Sequence, residues 1–112
     1  MNVQHFEKGL RYSDKDLLVL VRKIGKLATY CNRLKNEDSL IRVEAERRPT
    51  KKQRDQVKVM MTVELPRKIL RAESRRVLPI DAVDRCIGKL EPQIKRYKEM
   101  HMGKGRARWR GE

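Results

Sequence analysis

The sequence is poor in the residues from which catalytic and metal sites are usually built. It has two histidines and two cysteines in 112 residues, and none of them lie at zinc-ligand spacings. It also has no glycine-rich phosphate-binding motif. We therefore predict that the protein is not an enzyme and has no metal, cofactor or small-molecule substrate. Cys31 and Cys86 are predicted to be reduced and buried.

Aromatic residues and long apolar runs are scarce as well. Aromatics make up 4% of the chain, which leaves few residues for a surface on which single-stranded bases stack. No run of about 18 apolar residues is present, as a membrane-spanning helix would need, and the N-terminus is not typical of a signal peptide. The sequence therefore predicts a cytoplasmic protein that neither spans a membrane nor is secreted.

Positive charge is what the sequence has in excess, and most of it lies in the second half. Lys and Arg number 29 against 15 Asp and Glu, a formal net charge of +14. Residues 1–46 hold nine basic and seven acidic residues, whereas residues 47–112 hold twenty and eight. A folded chain tolerates such self-repulsion most easily when a polyanion neutralises it, which indicates nucleic acid or an anionic membrane surface.

Two segments have the apolar periodicity of amphipathic helices. The first is predicted to begin after Ser13, whose hydroxyl can accept a hydrogen bond from the amides ahead of it. The second is predicted to begin near Pro79 and to end at about Met100, with a kink at residues 88–92 because Pro92 removes a backbone hydrogen bond. The apolar residues predicted to face the core from the first helix are Leu17, Leu20, Val21, Ile24, Leu27, Ala28 and Cys31.

Four segments are predicted to be strands. The opening residues form a short strand with Val3 and a half-buried His5 on one face. Apolar and polar residues alternate in residues 40–47, 55–65 and 69–74, and their short connections predict an antiparallel meander. The order β-α-β-β-β-α predicts an α+β domain whose four-stranded antiparallel sheet carries both helices on one face. This domain is predicted to span residues 1–101, followed by a flexible basic tail over residues 102–112.

Basic residues cluster on the predicted helices and in the tail. Side by side, the helices would present a basic band to RNA phosphates, although an ordinary solvated face is the alternative interpretation. In the tail, Trp109 either stacks on a base or packs against the domain, and the loop at residues 47–54 is interpreted as a solvated turn. The candidate RNA-binding residues are Arg22, Lys23, Lys26, Arg85, Lys89, Lys95, Arg96, Lys98, Arg106 and Arg108.

Residues 79–98, PIDAVDRCIGKLEPQIKRYK, resemble the second helix of the ribosome hibernation-promoting factor / ribosome-associated inhibitor family. The family pattern opens with a small residue, an aliphatic residue and Asp, and continues with Lys-Leu-Glu-x-Gln and basic residues. The element order also agrees, so the resemblance covers roughly residues 1–100. The matching positions are Ala82, Val83, Asp84, Lys89, Leu90, Glu91 and Gln93.

The resemblance implies a fold similar to a double-stranded-RNA-binding domain and a factor that performs no reaction. It implies binding to ribosomal RNA of the small ribosomal subunit near the decoding region, which blocks messenger RNA and transfer RNA. Generic double-stranded-RNA binding, or a structural role in the ribosome, is the alternative. The RNA contacts that the resemblance implies are Lys23, Lys26, Lys89, Lys95 and Arg96, whereas Arg22, Arg85 and Lys98 follow from charge and helix face alone.

The sequence departs from the family pattern at three points. Pro92 stands where a polar or basic residue is usual, and Leu78 and Pro79 replace a polar cap before the second helix. The dimerisation domain of the family's long form is absent from the sequence. We therefore expect a monomeric short form that silences ribosomes rather than one that pairs them.

Overall fold

The computed structural model describes residues 2–31, 39–48 and 56–101. Along these residues the elements follow the predicted β-α-β-β-β-α order, and each helix or strand lies within a few residues of its predicted place. The elements are β1 (Asn2–Lys8), α1 (Asp14–Leu27), β2 (Leu40–Arg47), β3 (Val57–Leu65), β4 (Lys68–Arg76) and α2 (Pro79–His101).

The four strands form one sheet in the order β1-β2-β3-β4. The β2–β3 and β3–β4 pairs are antiparallel, as predicted, but β1 pairs with β2 in parallel, with Val3 opposite Ile41 and His5 opposite Val43. The prediction of a wholly antiparallel sheet was therefore wrong for the first pair. These two strands are parallel because α1 lies between them in the chain, and a helical crossover returns the chain to the same end of the sheet.

The core lies between one face of the sheet and both helices. Across β2, β3 and β4, alternate residues form buried rows such as Ile41–Val63–Leu70. On α1 the buried stripe contains Leu20, Ile24 and Leu27. The prediction that Leu17 and Val21 also face the core was wrong, since they are 37% and 67% exposed. Val21 follows Leu20 by about 100° around the helix, which carries its side chain beyond the buried stripe.

Helix α2 continues through Pro92 to His101. Leu90 and Ile94 are fully buried on either side of Pro92, whereas Pro92 and Gly88 are exposed. Because Pro92 has no amide hydrogen, it cannot donate a hydrogen bond to the Gly88 carbonyl. This carbonyl lies on the exposed side of the helix, where water can donate to it instead. The kink at residues 88–92 stays a prediction.

Both cysteines are free and buried, which confirms the prediction made for them. The Cys86 thiol lies 3.3 Å from the Val59 carbonyl oxygen, and burial raises the pKa of this thiol to about 11. In the part of the chain that the structure describes, no helix is both long and apolar enough to cross a membrane.

The cap of α1 gives a test of the fold. The Ser13 hydroxyl accepts a hydrogen bond from the Asp16 amide at 3.1 Å. We expect Ser13→Ala to lower the free energy of unfolding by about 1 kcal/mol, because that amide loses its partner. Ser13→Asp, which keeps an acceptor, should stay close to the wild type in urea unfolding. Equal losses for the two variants would contradict the cap.

Candidate nucleic-acid interface

Helices α1 and α2 lie side by side on the same face of the sheet. The Lys23 ammonium, in the second half of α1, forms an ion pair with Asp84, in the first half of α2. Further along, Tyr30, just beyond α1, meets Glu91 and Lys95 of α2. Because the contacting residues advance together along both helices, the helices run parallel. We call the line of contact formed by Lys23, Tyr30, Asp84, Glu91 and Lys95 the interhelix seam.

A small charge cluster occupies the later part of the interhelix seam. The Tyr30 hydroxyl donates a hydrogen bond to the Glu91 carboxylate, which raises the pKa of Tyr30 and lowers the pKa of Glu91. The nearby charges of Lys95 and Lys26 lower the pKa of Glu91 further. The Lys95 ammonium lies 3.8 Å from a Glu91 oxygen and 5.3 Å from the centre of the Tyr30 ring. The seam is thus basic at its margins but contains two carboxylates, Asp84 and Glu91.

The basic residues on the other side of α2 do not reach α1. Arg85, Lys89 and Arg96 are spaced by four and seven residues, which places them on one stripe of the helix, and this stripe faces β4. The Lys89 ammonium donates to the Glu73 carbonyl at 2.6 Å. The amide of Gln93, on the same stripe, donates to the Arg71 carbonyl at 3.0 Å.

The structure therefore divides the eight described candidates into two groups. Lys23 and Lys95 belong to the interhelix seam, and Lys98 lies one turn beyond Lys95. Arg22 and Lys26 are exposed on the outer side of α1, next to this seam. The second group lies between α2 and β4 and contains Arg85, Lys89 and Arg96. The candidates Arg106 and Arg108, with Trp109 and the rest of the predicted tail, lie outside the described residues.

The second group is joined by basic residues of β4 that the sequence interpretation missed. Lys68 and Arg76 lie at the two ends of this strand and, by alternation, point to the same side of the sheet as the helices. We call the surface formed by Lys68, Arg76, Arg85, Lys89 and Arg96 the α2–β4 flank. Between Arg85 and Arg96 its stripe of α2 contains no acidic residue, and Asp81 lies one turn before Arg85. The many Lys and Arg residues in the segment 67–76 could have indicated this surface from the sequence. They do so, however, only once β4 is known to be an edge strand.

The sheet face opposite the helices carries several ion pairs. Lys8 pairs with Glu46 at 3.8 Å, and Arg48 pairs with the same carboxylate at 3.0 Å, which lowers the pKa of Glu46. Arg42 pairs with Glu64, and Lys58 with Glu73. Such exposed pairs contribute little to stability, but they neutralise part of the positive charge of this face.

The described residues offer no arrangement typical of a metal or catalytic site. No group of three or more His, Cys, Asp or Glu side chains in residues 2–31, 39–48 and 56–101 lies close enough to hold a metal ion. His5 is exposed rather than half-buried, and its ring meets the Tyr12 ring edge-on at 6.5 Å between centroids. The arrangement that remains is one of cations presented on a rigid α+β body.

Comparison with known proteins agrees with this fold. The family model described as sigma 54 modulation protein / S30EA ribosomal protein matches residues 17–101. The structure of the Protein Y N-terminal domain from Thermus thermophilus matches with a TM-score of 0.68 and 21% identity, over 87% of this chain and 99% of that one. A ribosomal subunit interface protein from Coxiella burnetii matches with a TM-score of 0.62 and 23% identity, over 88% and 98%. No curated protein sequence matches the chain.

The seam cluster predicts a change in titration. In Tyr30→Phe, we expect the pKa of Glu91 to rise towards its ordinary value, because the hydroxyl contributes most to lowering it. Since the lowered pKa stabilises the fold only above the pKa of unfolded Glu, the variant should lose stability at neutral pH but not at strongly acidic pH. Carboxyl NMR titration measures the pKa directly.

Tyr97→Phe is the matched control for this titration. The Tyr97 hydroxyl donates to the Pro66 carbonyl at 3.3 Å, on the β4 side of α2. Its removal should leave the pKa of Glu91 unchanged. An unchanged Glu91 pKa in Tyr30→Phe as well would show that the hydroxyl does not hold the carboxylate.

Proposed function

Because the chain belongs to the sigma 54 modulation protein / S30EA ribosomal protein family, we propose that it is a cytoplasmic ribosome hibernation factor that binds the small ribosomal subunit. The observation that carries this proposal is the extent of the family match. Residues 17–101 include all of α2, α1 from its fourth residue onward, and all eight described basic candidates. In this proposal the protein acts as a monomer near the decoding region, where it blocks messenger RNA and transfer RNA.

The proposed mechanism is occupation of space rather than a chemical reaction. Apolar packing between the sheet and the helices makes the body rigid, so its cations keep fixed spacings when they meet phosphates. Phosphate contacts position a protein on RNA but do not read sequence. The shape of the rigid body must therefore select the binding site near the decoding region, while the cations supply most of the affinity.

The contacts of the individual cations differ within this proposal. Arg22 and Lys26 are exposed beside the interhelix seam, and Lys98 extends the same surface, so these three are placed for phosphate contact. Lys23 and Lys89 are already engaged, with Asp84 and the Glu73 carbonyl respectively. They contribute positive potential but would have to share or exchange a partner. Arg106 and Arg108 are proposed to extend the contact along neighbouring RNA.

Salt dependence tests this mechanism. If about six phosphates are contacted, the logarithm of the affinity for small subunits should fall against the logarithm of salt concentration with a slope of about −4 to −5. Co-sedimentation of the 112-residue protein with small subunits across a salt series measures this slope. Affinity that ignores salt would contradict the mechanism. Equal competition by free duplex RNA would favour the generic double-stranded-RNA binder.

Charge reversal tests the proposed surface. We expect Lys26→Glu and Lys95→Glu each to weaken co-sedimentation about tenfold and to reduce the salt slope by about one. Lys8→Glu makes the same charge change on the opposite face, at a side chain that is 84% exposed. It should leave binding close to the wild type. Equal losses for Lys8→Glu and Lys26→Glu would show that only net charge matters and would overturn the proposed surface.

A further inference from the structure

A groove opens at the end of the α2–β4 flank where α2 finishes and β4 begins. Its volume is about 450 Å³, which lies within the range of pockets that hold small organic ligands. Of its lining residues, Arg96 alone is among the candidate contacts of the proposed function. The groove is lined by Lys68, Leu70, Gln93, Arg96, Tyr97 and Met100.

The lining combines an apolar floor with a cationic rim. Leu70 and Tyr97 are 4% and 5% exposed and form the floor, and Met100, 58% exposed, forms one wall. Lys68 and Arg96 are exposed at the rim. A planar apolar group that carries a negative charge at one end fits this combination.

The polar groups of the groove indicate which functional groups its ligand carries. The Gln93 amide nitrogen uses both of its hydrogens, on the Arg71 carbonyl at 3.0 Å and the Lys89 carbonyl at 3.1 Å. Its side-chain oxygen is left as an acceptor, which suits a base N–H group. Two cations at the rim suit a phosphate. Base and phosphate together describe a nucleotide.

We propose that this groove holds one unstacked nucleotide of a single-stranded RNA segment, with its base on the apolar floor and its phosphate between Lys68 and Arg96. This inference deepens the proposed function and rests on it for the source of the RNA, but the chemistry of the groove does not depend on the ribosome. RNA recognition commonly uses such splayed bases.

The α2–β4 flank favours an RNA strand over a free mononucleotide as the occupant. From Arg96 back to Arg85 the helix rises about 16 Å, and Lys89 lies between them. At roughly 3.4 Å per phosphate in a stacked strand, this length corresponds to several phosphates. A mononucleotide would use only Lys68 and Arg96 and would place no phosphate at the other cations of the flank.

Binding of a short RNA to the full chain tests the inference. The probes are a labelled seven-nucleotide adenosine strand and an otherwise identical strand that lacks its bases, measured by fluorescence anisotropy. We expect the strand without bases to bind about tenfold more weakly, because seating a base on an apolar surface contributes strongly to affinity. Equal affinities would overturn the base site. Adenosine monophosphate that competes as well as the strand would overturn the RNA strand as occupant.

A variant that removes one wall of the groove locates the site. Met100→Ala removes apolar contact area without changing charge and should weaken binding of the normal strand about threefold while leaving the strand without bases unaffected. Leu18→Ala, at a residue 68% exposed on α1, is the matched control and should bind like the wild type. Normal binding by Met100→Ala, or equal weakening by Leu18→Ala, would overturn the groove as the site.

These measurements need no ribosomes, so their failure is distinguishable from failure of the proposed function. If the wild-type protein does not co-sediment with small subunits but binds the strand with bases more tightly than the strand without them, only the proposed function is contradicted. If the protein co-sediments with small subunits but removal of the bases does not change its affinity for the strand, only the base site in the groove is contradicted.

Discussion

The burial of one apolar stripe of α2 is the constraint on which the rest of the structure depends. Val83, Leu90 and Ile94 are fully buried against the sheet, and together they set the rotation of the helix about its axis. Once this rotation is set, one flank of α2 must face β4 and the other must face α1. Every polar contact made by α2, including those of the candidate residues, follows from that seating.

This seating gives the Lys-Leu-Glu-x-Gln pattern a structural meaning. Leu90 points into the core, Glu91 accepts the hydroxyl of Tyr30, and Lys89 and Gln93 donate to the Glu73 and Arg71 carbonyls. These carbonyls belong to an edge strand, whose open hydrogen-bonding groups otherwise invite pairing with another chain. The pattern therefore secures α2 between α1 and the sheet edge, and the residues most available to RNA lie outside it.

Features that depend on neighbouring residues were predicted correctly, whereas contacts between distant elements were not. Element order, the Ser13 cap and the buried cysteines are all confirmed, because periodicity and capping act over a few residues; the family resemblance, drawn from one helix pattern, is confirmed as well. The parallel pairing of β1 and the exposure of Val21 depend on where distant elements pack, and both were predicted wrongly. The separation of Lys26 from Lys89 likewise depends on the rotation of α2, which spacing along the chain does not contain.

The same packing decides where the net charge of +14 can act. On the outer face of the sheet, Glu46 and Glu64 pair with basic neighbours, and at the interhelix seam Asp84 and Glu91 pair with Lys23 and Lys95. Between Arg85 and Arg96, the helix stripe of the α2–β4 flank contains no carboxylate. Because low-dielectric walls focus an electric field in a cleft, the positive potential is expected to be strongest there. A polyanion that approaches the described part of the chain is therefore drawn to α2, and the flank determines which side of that helix it meets first.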